Sequence, residues 1–279
     1  MARDRVNALS ATEPREIDSW GSRLTDKVVL ITGGSGGLGR ALARAFVTAQ
    51  TRVVIAARSQ DRLSNSVQAI GAPENRLIAH ACDVTDRAQV ESLDRRIREE
   101  FGPVEILINN AGIARAVSFL DMTDIQWEEI LKTNITGTYN CCKTFLPAMC
   151  AAHWGRIINI GSTTAKVAYS HVSAYTTSKH GLLGLTRSLA IETARVGITV
   201  NAICPGYLDN ELTHDNARRM AQRTGKTEAE ILALFARSAP QNRLIDPEEV
   251  ANLAVLIASE NLAGMTGQAI NVDGGAVMA

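Results

Sequence analysis

An α/β domain built on one doubly wound, parallel seven-stranded sheet with helices on both faces is the fold class this sequence predicts. Three observations predict it. Short apolar runs, rich in β-branched residues, recur at 28–32, 52–57, 77–82, 104–109, 156–160, 199–204 and 269–272. Stretches of helical length and composition separate most of them, so successive strands are joined by crossovers and run parallel. The runs are nearly continuously apolar rather than alternating, as strands covered on both faces are.

Composition bounds the function classes. A chain of 279 residues with 46% hydrophobic content can bury a full core. Lys+Arg and Asp+Glu number 29 each, so the formal net charge is zero and no nucleic acid or acidic membrane is expected as a partner. No run approaches the ~20 apolar residues that cross a bilayer. The five cysteines, Cys82, Cys141, Cys142, Cys150 and Cys204, are odd in number and lack C-x-x-C or metal-finger spacing. They read as reduced thiols of a cytoplasmic protein with no metal site. Residues 1–25 are polar and aperiodic and read as a flexible N-terminal arm, with Ile17 and Trp20 able to pack on a neighbouring surface. Residues 26–279 read as a single domain, because no boundary interrupts the alternation.

Taken in order, the first strand runs into Thr32-Gly33-Gly34-Ser35-Gly36-Gly37-Leu38-Gly39 and then a helix over 40–49. Glycines let the backbone approach a pyrophosphate, and the helix start offers N–H groups and partial positive charge, so this Rossmann-type turn is expected to bind a dinucleotide. The second strand ends Ala56-Ala57-Arg58-Ser59. An NAD site would place an acid near Ala57 for the ribose 2′-hydroxyl, whereas Arg58 suits a 2′-phosphate, so NADP(H) is preferred and NAD(H) possible. Asp83 and Val84 follow the third strand, and Asn110 and Gly112 the fourth. Ser162 closes the fifth, at the strand end where open α/β sheets carry ligands. Tyr175 and Lys179, four apart, share one helix face. A phenol loses its proton near pH ~10, and a neighbouring ammonium favours the phenolate, so the pair can exchange a proton nearer neutrality. By themselves two such residues could equally be surface positions.

After the sixth strand and Pro205-Gly206, residues 209–245 form a long insertion, read as a substrate lid or else a surface excursion or subunit contact. It contains a capping box, Thr227 to Glu230, opening a helix to about Arg237, and a second box at Asp246 opens the next helix.

The glycine spacing T-G-x-x-x-G-x-G at Gly33, Gly37 and Gly39, Asn109-Asn110-Ala111-Gly112, Ser162, Tyr175-Thr176-Thr177-Ser178-Lys179, Pro205-Gly206 and Val272-Asp273-Gly274-Gly275 together resemble the short-chain dehydrogenase/reductase family, from about residue 25 to the end. The resemblance implies an oxidoreductase interconverting a ketone and a secondary alcohol by pro-S hydride transfer. It implies Tyr175 as general acid or base, Lys179 on the nicotinamide ribose and lowering the Tyr175 pKa, Ser162 on the substrate oxygen, and Asn134 holding a relay water. Read alone, Asn134 could be a capping residue. The resemblance also implies that Gly33, Ser35, Gly36, Gly37, Leu38 and Gly39 hold the phosphates. Arg58 would take the 2′-phosphate, while Asp83 and Val84 meet the adenine, with Asp83 alone reading as a turn residue. Asn110 and Gly112 would line the adenosine channel, and Pro205, Gly206 and Leu208 would pass the nicotinamide. Two departures are Gly36, where many NADP-dependent relatives have a basic residue, and Asn210, where Thr is frequent. A homotetramer is implied, joined partly through the helices of Asn134 and Tyr175 and through the last strand and helix, and the apolar run 274–279 would suit burial at such an interface.

The pocket is expected from Thr163, Val167, Tyr169, His171 and Tyr207, with His171 either touching substrate or lying at the rim. The chain is most like ketoreductases of polyketide or 3-oxoacyl substrates. The alternatives are an NAD-dependent hydroxyacyl-thioester or alcohol dehydrogenase working oxidatively and, in another class, a non-catalytic dinucleotide sensor.

Overall fold

The structure is a computed structural model that describes residues 24–278. Its strands are β1 (Val28–Thr32), β2 (Arg52–Ala57), β3 (Leu77–Ala81), β4 (Ile106–Asn109), β5 (Gly155–Ile160), β6 (Ile198–Pro205) and β7 (Ala269–Val272). All seven pair in parallel in the order β3-β2-β1-β4-β5-β6-β7. The order reverses between β1 and β4, which opens a crevice at the carboxyl ends of those strands. Strand positions follow the expected runs, with ends moved by a residue or two.

Helices cover both faces. On one side α1 (Gly37–Thr48), α2 (Gln60–Ile70) and α9 (Pro247–Ala258) pack Leu42, Phe46, Leu63, Val250 and Ile257 against Val29, Ile31 and Ile55. On the other, α3 (Arg87–Glu100) and α5 (Gly137–Ala152) pack Leu93, Ile97, Phe145 and Met149 against Val28, Leu30 and Val54. Neighbouring β1 residues thus feed opposite cores, which is why the strand reads as continuously apolar. Of the arm expected over residues 1–25, only its last two lie within the described residues. One of these, Leu24, is fully buried in the first core. The readings of Ile17 and Trp20 fall outside.

Two short helices lead to the long α6 (Ser173–Thr193): α4 (Asp124–Leu131), opened by a Thr123–Gln126 capping box, and a π turn at Lys132–Thr136 that runs on into α5. The insertion after β6 is a pair of helices, α7 (Glu211–Thr224) and α8 (Glu228–Arg237). Only α8 was expected. Its Thr227–Glu230 box is formed, as is the Asp246–Glu249 box of α9. A single parallel bridge, Leu208 to Ile245, closes the stem of the insertion.

α1 begins at Gly37, three residues ahead of the expected start, because the glycine loop itself turns into the helix. The glycines there serve close packing. A Cβ on Gly39 would lie 2.3 Å from the Gly33 carbonyl oxygen, and one on Gly34 would lie 2.5 Å from Ile55 Cβ. Only Gly33, at φ +66°, needs the left-handed region. Gly34→Ala is therefore expected to destabilise by about 1–3 kcal/mol through overpacking. Thermal unfolding should show a fall of roughly 2–4 °C per kcal/mol; an unshifted melting curve would contradict the close approach to β2.

Candidate active site

Ser162, Tyr175 and Lys179 meet at the carboxyl end of β5. Ser162 follows the strand directly and its Oγ accepts the Thr164 N–H at 3.2 Å, which starts a 3-10 turn at Thr163–Ala165. Its hydroxyl is also hydrogen-bonded to the Tyr175 phenol. Tyr175 and Lys179 sit in the first two turns of α6, with Lys179 Nζ 5.6 Å from the Tyr175 ring centroid. α6 is fixed to the sheet by a buried polar chain. Asn109 Nδ2 donates to Asn159 Oδ1, and Asn159 Nδ2 donates to Thr186 Oγ1, both at 2.9 Å.

Lys179 is buried, its ammonium donating to the Ile160 carbonyl at 2.7 Å. Burial pushes its pKa down from 10.5 to about 8. Burial likewise raises the Tyr175 phenol above its ordinary value, the Ser162 bond pulling the other way. The expected lowering by Lys179 does not enter the Tyr175 shift in this structure, where desolvation leads and the ammonium is committed to a main-chain carbonyl.

Asn134 is buried within the π turn. Its Nδ2 donates to the Ile113 carbonyl at 3.0 Å and to Ser178 Oγ at 2.9 Å, while its Oδ1 accepts the Ile113 N–H at 2.9 Å. The side-chain amide is therefore a brace between the β4 loop and α6, and its groups are occupied by protein partners. Ser178, one residue before Lys179, was not singled out in the sequence; its place inside the Tyr-to-Lys spacing was the available signal. A Cβ on Gly112 would come 3.2 Å from Asn134 Oδ1 and 3.8 Å from Lys179 Nζ, so Gly112 borders the lysine.

Across the crevice stands the glycine loop. Asn110 Nδ2 donates to the Thr32 and Gly33 carbonyls at 2.9 and 3.1 Å, and Thr32 Oγ1 accepts the N–H groups of Asn110 and Ala111. Asn110 thus buttresses the loop with its side chain. α1 starts without a side-chain cap and with no acid in its first turn, and the Cβ direction of Gly36 meets only the Gly33 carbonyl, at 3.7 Å. Uncapped amides beside backbone this bare fit a pyrophosphate. Ser35 and Leu38 are buried in the loop. At the end of β2, Arg58 is exposed and makes no ion pair among the described residues. Asp83 accepts the Thr85 N–H at 2.9 Å on one carboxylate oxygen, so it does turn work at the end of β3; Val84 is buried beside it.

Pro205 ends β6, Gly206 donates its N–H to the Val272 carbonyl at 3.0 Å, and Leu208 is buried at the insertion stem. Asn210 caps α7 through the Thr213 N–H and packs 3.0 Å from the Cβ position of Gly37, joining the insertion to the glycine loop. Beside Ser162 a cleft is lined by Thr163, Tyr169, Tyr207, Phe235 and Arg243. Tyr207 and Phe235 stack with centroids 4.3 Å apart and planes within 3°. Phe235 comes from α8 and was not anticipated, since nothing local says which face of that helix turns inward. Val167, expected in the pocket, is absent from the residues that line this cleft, and so is His171, which is exposed at φ +65° with its carbonyl bonded to the Val117 N–H. Among the described residues the cysteines are all unpaired, no His/Cys/Asp/Glu cluster could hold a metal, and no helix is long and apolar enough to cross a membrane.

The family model for short chain dehydrogenases matches residues 27–221. A 3-oxoacyl-[acyl-carrier-protein] reductase of Salmonella typhimurium is 36% identical over 252 residues, covering 90% of this chain and 98% of that protein. A D-beta-hydroxybutyrate dehydrogenase of Cupriavidus necator is 32% identical over 253 residues, covering 90% and 98%. The crystal structure of an actinorhodin polyketide ketoreductase variant with NADPH superposes with a TM-score of 0.88 at 32% identity, over 91% of this chain and 98% of that one.

The Lys179 shift gives a test. Its folded pKa lies below the unfolded value, so between about 8 and 10.5 the unfolded chain holds more protons and the lysine's contribution to stability rises with pH. Chemical denaturation of wild type and Lys179→Met over this range should show their stability difference moving in favour of wild type as pH increases. Groups shared by both proteins cancel, and a pH-independent difference would refute the burial of the ammonium.

Proposed function

Because this chain belongs to the short-chain dehydrogenase family, and is thus an oxidoreductase, we propose that it interconverts a ketone and a secondary alcohol with NADP(H), Tyr175 moving the proton. The convergence of Ser162, Tyr175 and Lys179 across the crevice from the glycine loop carries this reading. Gly33, Ser35, Gly36, Gly37, Leu38 and Gly39 hold the phosphates, Arg58 the 2′-phosphate, Asp83, Val84, Asn110 and Gly112 the adenosine side, and Pro205, Gly206 and Leu208 the nicotinamide side. Bound there, the nicotinamide supplies or accepts a hydride.

In the reducing direction the hydroxyls of Ser162 and Tyr175 both donate to the substrate carbonyl oxygen. Ser162 holds it, and Tyr175 releases its proton to it as negative charge develops. A phenol raised by burial stays protonated in the resting site, as a general acid requires. Lys179, held by Ile160, presents positive charge to the phenolate that remains and favours its formation at that stage. Asn134 contributes by fixing Ser178 and the Ile113 loop around the lysine. In the oxidising direction each group reverses its role.

For the substrate we favour a 3-oxoacyl or polyketide ketone. The relatives include proteins named for a 3-oxoacyl group and a polyketide, and the cleft offers an aromatic wall with one cation, Arg243, already held by Glu249 at 2.5 and 2.9 Å. Similarity to a hydroxybutyrate dehydrogenase favours oxidation with NAD as the second reading. Residues 209–245 serve as the lid. Assembly as a homotetramer is supported by the exposure of Tyr139 on α5, Ile191 on α6 and Met278 near the carboxyl end. A cytoplasmic site of action accords with the unpaired thiols.

Nicotinamide absorbance followed with NADPH and NADH in parallel, against a bicyclic ketone and a 3-oxoacyl thioester, tests the reading. A preference for NADPH of about tenfold, ~1.4 kcal/mol, is expected, and preference for NADH would move the weight to the oxidative reading. Tyr175→Phe should fold and bind cofactor yet lose nearly all turnover; substantial residual rate would overturn the role of the phenol.

A further inference from the structure

The first helix of the insertion brings a carboxylate to the end of the sheet where the sequence lacks one. Glu211, the first residue of α7, accepts from Arg40 Nη2 at 2.6 Å on one oxygen and from Arg62 Nη2 at 3.2 Å on the other. Arg40 lies one turn into α1 and also donates to the Ser35 carbonyl in the glycine loop at 3.0 Å. Arg62 lies in the first turn of α2, where its N–H is capped by Ser59 Oγ, the residue after Arg58. Three guanidiniums, Arg40, Arg58 and Arg62, are therefore carried by the glycine-loop helix and the β2–α2 turn, and Glu211 engages two of them.

In a doubly wound dinucleotide fold this corner is where the adenosine ribose lies, and its charge decides between a 2′-hydroxyl and a 2′-phosphate. Ala57 leaves no acid on the strand. Glu211 restores one negative charge from the opposite wall and holds Arg40 and Arg62 as its own partners, which leaves Arg58 alone for a phosphate. We infer that Glu211 is a specificity-determining residue for the cofactor: it tempers the preference for a 2′-phosphate by neutralising Arg40 and Arg62. The inference rests on the dinucleotide reading of the site.

The contact is solvent-exposed, with Glu211 54% and Arg62 60% accessible, so its worth as a structural tie is small. Its effect on a doubly charged phosphate is larger, because a unit charge a few ångströms away in water changes a binding constant by roughly fivefold.

Calorimetric titration of the full chain with NADPH and NADH separately reads this without turnover. Glu211→Gln should tighten NADPH roughly three- to tenfold and leave NADH within about twofold. Glu211→Asp, which keeps the charge, should retain the wild-type ratio, and the triple variant Glu211→Gln, Arg40→Gln, Arg62→Gln should lose the gain. An unchanged ratio in Glu211→Gln, or equal shifts of both cofactors as a simple lid contact would give, would overturn the inference. Failure of wild type to bind either dinucleotide would instead strike the proposed function.

Discussion

Thr32 and Asn110 hold together the two loops between which the functional groups are arranged. Thr32 ends β1 and Asn110 follows β4, the pair of strands at which the sheet reverses its order. Thr32 Oγ1 accepts two main-chain N–H groups from the β4 loop, and the Asn110 amide donates to two carbonyls of the glycine loop. Without these bonds the Ala111 N–H would lose its acceptor, a cost of about 1–3 kcal/mol if water could not replace it, while the Asn110 N–H and the Gly33 carbonyl would keep only their local bonds to the Ile108 carbonyl and the Gly36 N–H. The clamp sets the approach of the glycine loop to the segment that runs through Gly112 and Ile113 toward Asn134 and, by way of Ser178, to Lys179. The glycine loop and the Ser162–Tyr175–Lys179 group are thus positioned by one hydrogen-bonded seam.

Burial sets the electrostatics of Tyr175 and Lys179. Lys179 is desolvated enough to sit near 8, yet it is held in place by a carbonyl that favours its charged form. Tyr175, desolvated as well, keeps its proton. The pair is thus unequal: Tyr175 is held as the phenol, while Lys179 lies closer to neutrality than a free lysine does. The polar ladder from Asn109 through Asn159 to Thr186 anchors α6 in a buried layer without introducing a formal charge there.

Much of this was legible in the sequence because it is local. Strand ends, the glycine loop, two capping boxes and the Tyr175–Lys179 spacing are written in neighbouring residues, and the sheet order follows from the alternation of strands and helices. What escaped was nonlocal or depended on competing roles. α7 was missed because it is polar overall, with residues such as His214, Asp215, Arg218 and Arg219 leaving only a narrow apolar face, and Asn210, which caps it, was read only as a departure from the family pattern. The inward face of Phe235 is fixed by Tyr207, distant in sequence. The sequence did not show that the protein itself bonds two side-chain amides, Asn110 to main chain and Asn134 to main chain and to Ser178 Oγ. A residue type shows what bonds a side chain can make; only the fold shows which partner claims it first.

The stem of the insertion has a consequence for how this architecture diversifies. Residues 208 and 245 are bridged as neighbours, so everything between them leaves and re-enters the sheet at a single point. Closing a loop across fixed ends costs only slowly more as it lengthens, about 0.6 kcal/mol per doubling. The segment is therefore an exchangeable cassette. A different pair of helices grafted at the same two residues would leave the sheet and the Ser162–Tyr175–Lys179 group intact while replacing Phe235 of the aromatic wall, the Asn210 contact with Gly37 and the carboxylate that faces Arg40 and Arg62. On the roles proposed for the cleft and for Glu211, changes of substrate and of cofactor preference would be linked in inheritance, because one contiguous stretch of chain would carry a determinant of each.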